Sequence, residues 1–403
     1  MDIGIFGLWG MNIPTRTFGG FETVYSEVAI RLADLGHQVT VYSRRECYTT
    51  SQRIPNYKGV NIIYVPTINS KSLSFLTAIT SAVGYAVVRK HHDVFLFVNV
   101  GSGFHCLAAK LFGKKTLLNV DGLDWARPKW NSMGQLYFKL AARAALFSCD
   151  VLLTDGNAMV EYYRREFHRT LDMISYGAYI EKSANAALLD ELQLRPFEYY
   201  LVVTRLIPDN NIHLIVEEYQ KVSSNRQLVV VGDANYDGDY QRQLRNVKDP
   251  RIRFVGRIHD QQLLKELYCN CYGYIHGHSV GGTNPALLKA LGYGTAVLAL
   301  NTPFNAEVLV NGTFGELWKK DAGDLLMKLQ NFENNPDKVA RLRAMAPQRI
   351  KEAYSWEQVT AQYVDLLDKV KNGRSDSLLR MKLFRLGLGV FLLLLVILIW
   401  RGV

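Results

Sequence analysis

The apolar and polar positions of this chain alternate between two periods. Short apolar runs at residues 2–8, 38–43, 61–65, 94–99, 115–120, 151–154 and 172–175 predict strands. Between several of them, at residues 21–35, 73–90, 134–147 and 157–167, apolar residues recur at helical spacing. A second set begins at residue 199. Its strands fall at 199–203, 227–231, 252–255, 273–276 and 296–300, and its helices at 212–221, 261–270 and 284–291. Such alternation predicts doubly wound parallel sheets, and two sets predict two domains. Residues 178–196 carry no strand pattern and read as the connection. After residue 321 the pattern is helical only, to about residue 371.

A length of 403 residues is enough for two or three cores. The pattern divides the chain as follows. Residues 1–180 form an N-terminal Rossmann-like domain, 181–198 a linker and 199–350 a second Rossmann-like domain. Residues 351–371 form a terminal helix expected to pack back toward the first domain, and 372–382 a basic linker. Two such domains facing one another would leave a cleft at their strand ends.

The last segment has a different character. Residues 386–400 contain no polar side chain, and Arg380, Lys382 and Arg385 precede them. Counting from residue 383, with the Arg385 head snorkelling, the run approaches the roughly 20 residues that span a bilayer. Basic residues on the upstream side predict a single-pass C-terminal anchor at 383–400, with the folded domains in the cytoplasm. A buried helix is the alternative. An in-plane helix fits poorly, because every face is apolar.

The net charge of +10 allows nucleic acid, an anionic membrane or a phosphorylated ligand as partner. No block of Lys and Arg and no zinc-finger spacing occurs, which makes nucleic acid the weakest of the three. Five scattered cysteines form neither a disulfide framework nor a metal set, and point to a reducing compartment. The chain opens at once with a strand pattern, so no signal peptide is read.

Candidate chemistry gathers at predicted strand ends. The run His276-Gly-His-Ser-Val-Gly-Gly-Thr-Asn-Pro285 leaves a strand, tightens at Gly281 and Gly282, and starts a helix. Thr283 and Asn284 suit its cap and Pro285 its first turn. Backbone N–H groups of such a loop, with the helix dipole, can hold a phosphate; the competing reading is an ordinary turn before an amphipathic helix. Gly19 and Gly20 precede the first helix and form a second approach loop. Gly4, Gly7 and Gly10 suggest a dinucleotide fingerprint, but Met11-Asn-Ile-Pro14 follows instead of a helix, and no acidic residue closes the second strand. Asp121 ends a strand, where a carboxylate can accept a hydroxyl proton or simply cap a turn. Trp125 and Trp130 nearby can stack on a sugar or pack. Arg205 follows the first strand of the second set, where a guanidinium can meet a diphosphate or form a surface ion pair. Asp237 and Asp239 lie in a Gly/Asp-rich turn and are read as solvated, so no metal is assigned.

Together these pieces resemble the family 4 glycosyltransferases of GT-B fold, over about residues 2–370. They are most similar to the bacterial rhamnosyltransferase-like subgroup. The resemblance is carried by Phe18-Gly-Gly-Phe-Glu-Thr23, Val120-Asp-Gly-Leu-Asp-Trp125, Thr154-Asp-Gly-Asn157 and Ile174-Ser-Tyr-Gly-Ala178. Arg205-Leu-Ile-Pro-Asp-Asn-Asn211, the run from Tyr274 to Pro285 and Phe304-Asn-Ala-Glu-Val308 add to it. It implies a retaining transferase that takes a nucleotide-diphospho-sugar, with dTDP-rhamnose favoured, and needs no metal. It also implies a lipid-linked or oligosaccharide acceptor for cell-surface polysaccharide synthesis. Carried over by position, it implies catalytic roles for Asp121 and Arg205. It places Gly19, Gly20, Gly281, Gly282, Thr283, Asn284 and Lys289 on the donor side; His278, at the head of the same loop, is assigned to the donor with them, and Trp125 and Trp130, from their own position after the strand, to the acceptor side. Four positions depart from the family. Gly281 and Lys289 stand where the broad family has two Glu residues, Asn210 where it has Lys, and Tyr179 where it has Asp. Lys289 and Tyr179 motivate the rival reading, an inactive membrane-tethered scaffold.

Overall fold

The structure, a computed structural model, describes residues 1–373 except 17, 71, 72, 121, 127–130, 234–237 and 281. Contacts divide the chain into two units, Met1–Ile174 with Thr360–Val403, and Ser175–Val359.

The first unit is built on an eight-stranded sheet among the described residues. Its strands are β1 (Asp2–Phe6), β2 (Gln38–Arg44), β3 (Asn56–Tyr57), β4 (Val60–Val65), β5 (Val94–Val98), β6 (Lys115–Asn119), β7 (Val151–Thr154) and β8 (Asp172–Met173). They lie in the order β3-β4-β2-β1-β5-β6-β7-β8, and all pairs but β3–β4 are parallel. The order reverses between β1 and β5, so the ligand crevice of this unit opens at their carboxyl ends. The helices are α1 (Gly20–Asp34), α2 (Ser74–Arg89), α3 (Gly103–Leu111), α4 (Ser132–Ser148) and α5 (Asn157–Phe167). Central strands covered on both faces become continuous apolar runs, as in Val94-Phe-Leu-Phe-Val98, which is wholly buried. Phe6 stacks on Tyr42, Phe95 and Phe97 with centroids 4.6, 4.7 and 5.1 Å away.

The second unit carries β9 (Tyr199–Val203), β10 (Gln227–Val231), β11 (Ile252–Gly256), β12 (Gly273–His276), β13 (Val297–Leu300) and β14 (Glu316–Trp318). All are parallel, in the order β11-β10-β9-β12-β13-β14, with the reversal between β9 and β12. Its helices are α6 (Ile212–Tyr219), α7 (Asp239–Arg245), α8 (Gln261–Asn270), α9 (Pro285–Gly292), α10 (Pro303–Val308), α11 (Asp324–Asn334) and α12 (Pro336–Ala353). A last helix, α13 (Trp356–Asn372), belongs from Thr360 onward to the first unit, where the Tyr363 hydroxyl meets that of Tyr25 at 3.4 Å.

The periodicity missed β3, β14, α3, α7 and α10. Two to three residues are too few to show a period of two. α3 opens on Gly103, and α7 and α10 are only two turns long. Among the described residues no helix is long and apolar enough to cross a membrane. The expected anchor at 383–400 lies outside the described residues.

Candidate active site

In the second unit the segments that carry Arg205 and His278 meet at the β9/β12 reversal. Arg205 leaves the end of β9 and is exposed. The loop of Gly277 to Asn284 leaves β12 beside it. Hydrogen bonds stitch the two loops together. The amide of Asn210 donates to the Arg205 carbonyl at 2.8 Å, and that of Asn211 to the Gly277 carbonyl at 2.7 Å. The backbone N–H and hydroxyl of Ser279 both donate to the Asp209 carbonyl, at 3.0 and 2.7 Å. Asn305 of α10, itself buried, donates to the carbonyls of His278 at 3.2 Å and Leu300 at 2.8 Å. Asn210, where the resemblance expects Lys, is buried and clamps the backbone of Arg205 instead.

The rings of His276 and His278 stack 4.3 Å apart at 13°. Sequence reading took the first as a strand residue and did not foresee this pair. His276 Nδ1 meets the Tyr274 hydroxyl at 3.2 Å, and His278 Nε2 meets Thr204 Oγ1 at 3.3 Å. His276 Nε2 and His278 Nδ1 are buried with no hydrogen-bond partner among the described residues. Burial first, and the Arg205 charge second, pull the His278 pKa down to about 3. Burial, helped by His278, drives that of His276 well below its usual value. Both shifts favour neutral rings, and His278 Nδ1 stays a buried polar atom at the head of the loop.

Asn284 caps α9 as expected, accepting from the Ala286 N–H at 2.9 Å, with Pro285 in the first turn. Thr283 is buried, and Gly282 and Lys289 are half-buried. Gly281 lies outside the described residues. Tyr179 sits with its ring 6.2 Å from Trp356. A Cβ on Gly292, near the end of α9, would collide with the Tyr179 carbonyl, so the helix and that segment touch backbone to backbone.

In the first unit, Gly19 caps α1 in an extended conformation and Gly20 begins it, both exposed as an approach loop requires. The first turn already holds a carboxylate. Glu22 is buried and accepts from the Trp9 N–H at 3.1 Å. Burial raises its pKa against the pull of the Trp9, Glu22 and Gly19 backbone groups and of Arg44. An incoming phosphate would therefore meet Glu22, and would favour its protonated form.

Asp121 and Trp130, expected at the acceptor side, lie outside the described residues. Trp125 corrects the expectation of a stacking platform. It is buried in the core, 6.2 Å from the Tyr162 ring, because the short 3₁₀ turn Asp124–Ala126 turns it inward. Among the described residues of this unit the exposed indole is Trp9, 55% accessible, in the loop after β1. Its carbonyl accepts from the Arg44 N–H at 2.9 Å, and the Arg44 guanidinium lies 4.6 Å from its ring centroid. At the end of β5, Asn99 adopts φ 76°, uncommon for a residue with a side chain, and donates to Asp124 Oδ2 at 2.7 Å. A single aromatic in a turn and a lone Asn at a strand end give no sequence pattern, so neither was legible.

The second unit identifies the class of protein. Residues 192–349 match the family described as glycosyl transferases group 1, and residues 3–179 match a domain of unknown function (DUF1972). The chain has a GT-B-like α/β fold of two Rossmann-like sheets and is a glycosyltransferase. Among solved structures it is similar to sucrose-phosphate synthase from Thermosynechococcus elongatus, with TM-score 0.77 and 18% identity over 92% of this chain and 98% of that one. It is also similar to HepE from Anabaena in complex with UDP-glucose, with TM-score 0.74 and 16% identity over 92% and 100%. The catalytic domain of starch synthase IV from Arabidopsis thaliana bound to ADP and acarbose matches with TM-score 0.70 and 12% identity over 92% and 99%. No curated protein matches the chain.

The buried histidines set a pH dependence. Burial lowers His105 to about 4 and, with Arg205, His278 to about 3; His276 moves the same way. Below about pH 6.5 the unfolded chain takes up protons that the folded chain refuses, so stability falls as pH falls. Each such residue contributes a slope of at most about 1.4 kcal/mol per pH unit, ending near its folded pKa. The midpoint of thermal unfolding is expected to drop steadily from pH 6.5 to 4.5, less steeply in a His278→Gln variant. A midpoint that does not move over this range contradicts the neutral buried rings.

Proposed function

We propose that the protein is a retaining glycosyltransferase that moves rhamnose from dTDP-rhamnose to a lipid-linked or oligosaccharide acceptor in cell-surface polysaccharide synthesis. The observation that carries the donor side is the seam of Arg205 with the His278–Asn284 loop at the β9/β12 reversal of a group 1 domain. That a structural neighbour was solved with UDP-glucose supports a nucleotide-diphospho-sugar donor. In this reading Arg205, His278 Nδ1 and the N–H groups of Gly282 and its neighbours stabilise the leaving diphosphate. No metal takes part. Asp121 orients or deprotonates the acceptor hydroxyl, and Trp9 offers its open face to an acceptor sugar. The apolar run at 383–400 anchors the protein at the cytoplasmic side of a membrane, next to a lipid-linked acceptor.

The test is donor-dependent release of nucleoside diphosphate by purified protein with membrane lipid extract, across dTDP-, UDP- and GDP-sugars in the presence of a chelator. Release with dTDP-rhamnose alone, dependent on lipid, supports the reading. Release with another donor replaces rhamnose, and loss on chelation removes the metal-free mechanism. Trp9→Ala is expected to raise the acceptor KM about five- to tenfold and leave the donor KM unchanged. An unchanged acceptor KM removes Trp9 from the acceptor side.

The second reading, an inactive scaffold, is favoured by Lys289, where the family's Glu would hold a ribose through two hydrogen bonds of about 1 kcal/mol each. Lys289→Glu separates the two. Gained turnover identifies a degraded site, whereas a fall shows that the lysine serves the native donor.

A further inference from the structure

Helix α4 presents an apolar stripe outward. Met133, Leu136, Leu140 and Phe147 are 72, 56, 42 and 71% exposed. Their spacings of three, four and seven residues put them on one face, which Lys139 and Arg143 share. The opposite face, with Phe138, Ala141, Ala142 and Ala145, packs into the core. A folded chain rarely leaves such a row of large apolar side chains in water without a partner.

Charge selects the partner. The 17 residues of α4 include no Asp or Glu. A second copy of this chain, paired through the same face, would bring Lys139 and Arg143 of both copies together with no acidic residue on either helix. An anionic lipid surface meets both features at once, taking the apolar chains below the headgroups and the basic heads among them. The described chain ends at Gly373, whose carbonyl accepts from Lys115 Nζ at 2.5 Å in this same unit. From there to the start of the apolar run at residue 383, ten residues reach at most about 35 Å. α4 is about 25 Å long. A membrane-inserted tail therefore holds this unit close enough for α4 to reach the same bilayer.

We propose that the outward face of α4 is a second membrane contact, which docks the first unit flat on an anionic bilayer. The inference rests on the membrane location proposed above and is independent of which sugar is transferred.

The test uses the full chain with Cys47→Ser, since the other four cysteines are buried. An environment-sensitive label is placed at Leu136→Cys or, as control, at exposed Lys320→Cys. Each protein is bound to phosphatidylcholine vesicles with or without phosphatidylglycerol, carrying brominated acyl chains as quencher. Quenching is expected at position 136 in the anionic vesicles and absent at position 320. Adding Lys139→Glu and Arg143→Glu is expected to lower the docked-to-undocked ratio by at least about 25-fold while the tail keeps the protein on the vesicles. Equal quenching at the two positions, with the protein still vesicle-bound, overturns the docking face alone. A blue-shifted, unquenched label at position 136 also overturns it, by showing that a second copy or the chain's own tail covers α4. Failure to bind vesicles at all overturns both the docking face and the membrane location, and leaves sugar transfer to be read from nucleoside diphosphate release.

Discussion

Arg205→Ala is expected to lower turnover about 10²- to 10³-fold while the unfolding midpoint stays within a degree or two of wild type. The residue leaves β9 at the point where strand order reverses, and its backbone is clamped by Asn210. Its charge already reaches His278, whose proton affinity it lowers. In the proposed reaction, negative charge grows on the diphosphate as the sugar bond breaks. A guanidinium meets two phosphate oxygens through parallel N–H bonds, and such preorganised donors typically supply about 3–4 kcal/mol to a transition state. Because Arg205 is exposed, its removal leaves no buried hole. Arg205→Lys is expected to recover part of the loss, since it restores charge without the fork. The measurement is kcat from nucleoside diphosphate release, beside thermal melts. Wild-type kcat in a folded Arg205→Ala protein would remove the residue from the reaction.

Gly277→Ala is expected to damage both stability and turnover. A Cβ at this position would collide with the Asn210 carbonyl and lie 2.9 Å from Ile215 Cδ1. The carbonyl is backbone and cannot swing aside, so the two strand-end loops must separate. Overpacking of this kind costs about 1–3 kcal/mol. Separation also breaks the bonds of Asn211 and Ser279 that hold the loops in register. The expected result is a midpoint lowered by several degrees and turnover reduced at least tenfold, because His278 and Arg205 no longer face one ligand together. Asn211→Ala should show a milder form of the same pattern. If Gly277→Ala melts and turns over like wild type, the loops are not coupled through this contact.

How far the sequence reaches is clear at particular residues. Periodicity located β9, β10 and β12 to the residue, because parallel strands covered on both faces read as near-continuous apolar runs, β10 opening on Gln227 and β12 closing on the buried His276. Asn284 and Pro285 were legible as cap and first turn, since local backbone geometry alone selects those residue types. Arg205 and the loop from His278 were found because each directly follows a strand. Trp125 was misplaced for the opposite reason: an aromatic after a strand can turn in or out, and neighbours distant in sequence, such as Tyr162, decide which.

Taken alone, the sequence determined the alternation of strands and helices, the two-sheet organisation and the loops from which chemistry can come. These depend on short-range rules of burial and capping that act within a dozen residues. Tertiary structure alone decided that His276 and His278 stack as neutral rings, that Asn210 serves Arg205, that Glu22 fills the first turn of α1 and that Trp9, not Trp125, faces water. Each of these depends on which strand lies beside which, and burial and electric field at a side chain are set by neighbours that the linear order does not name.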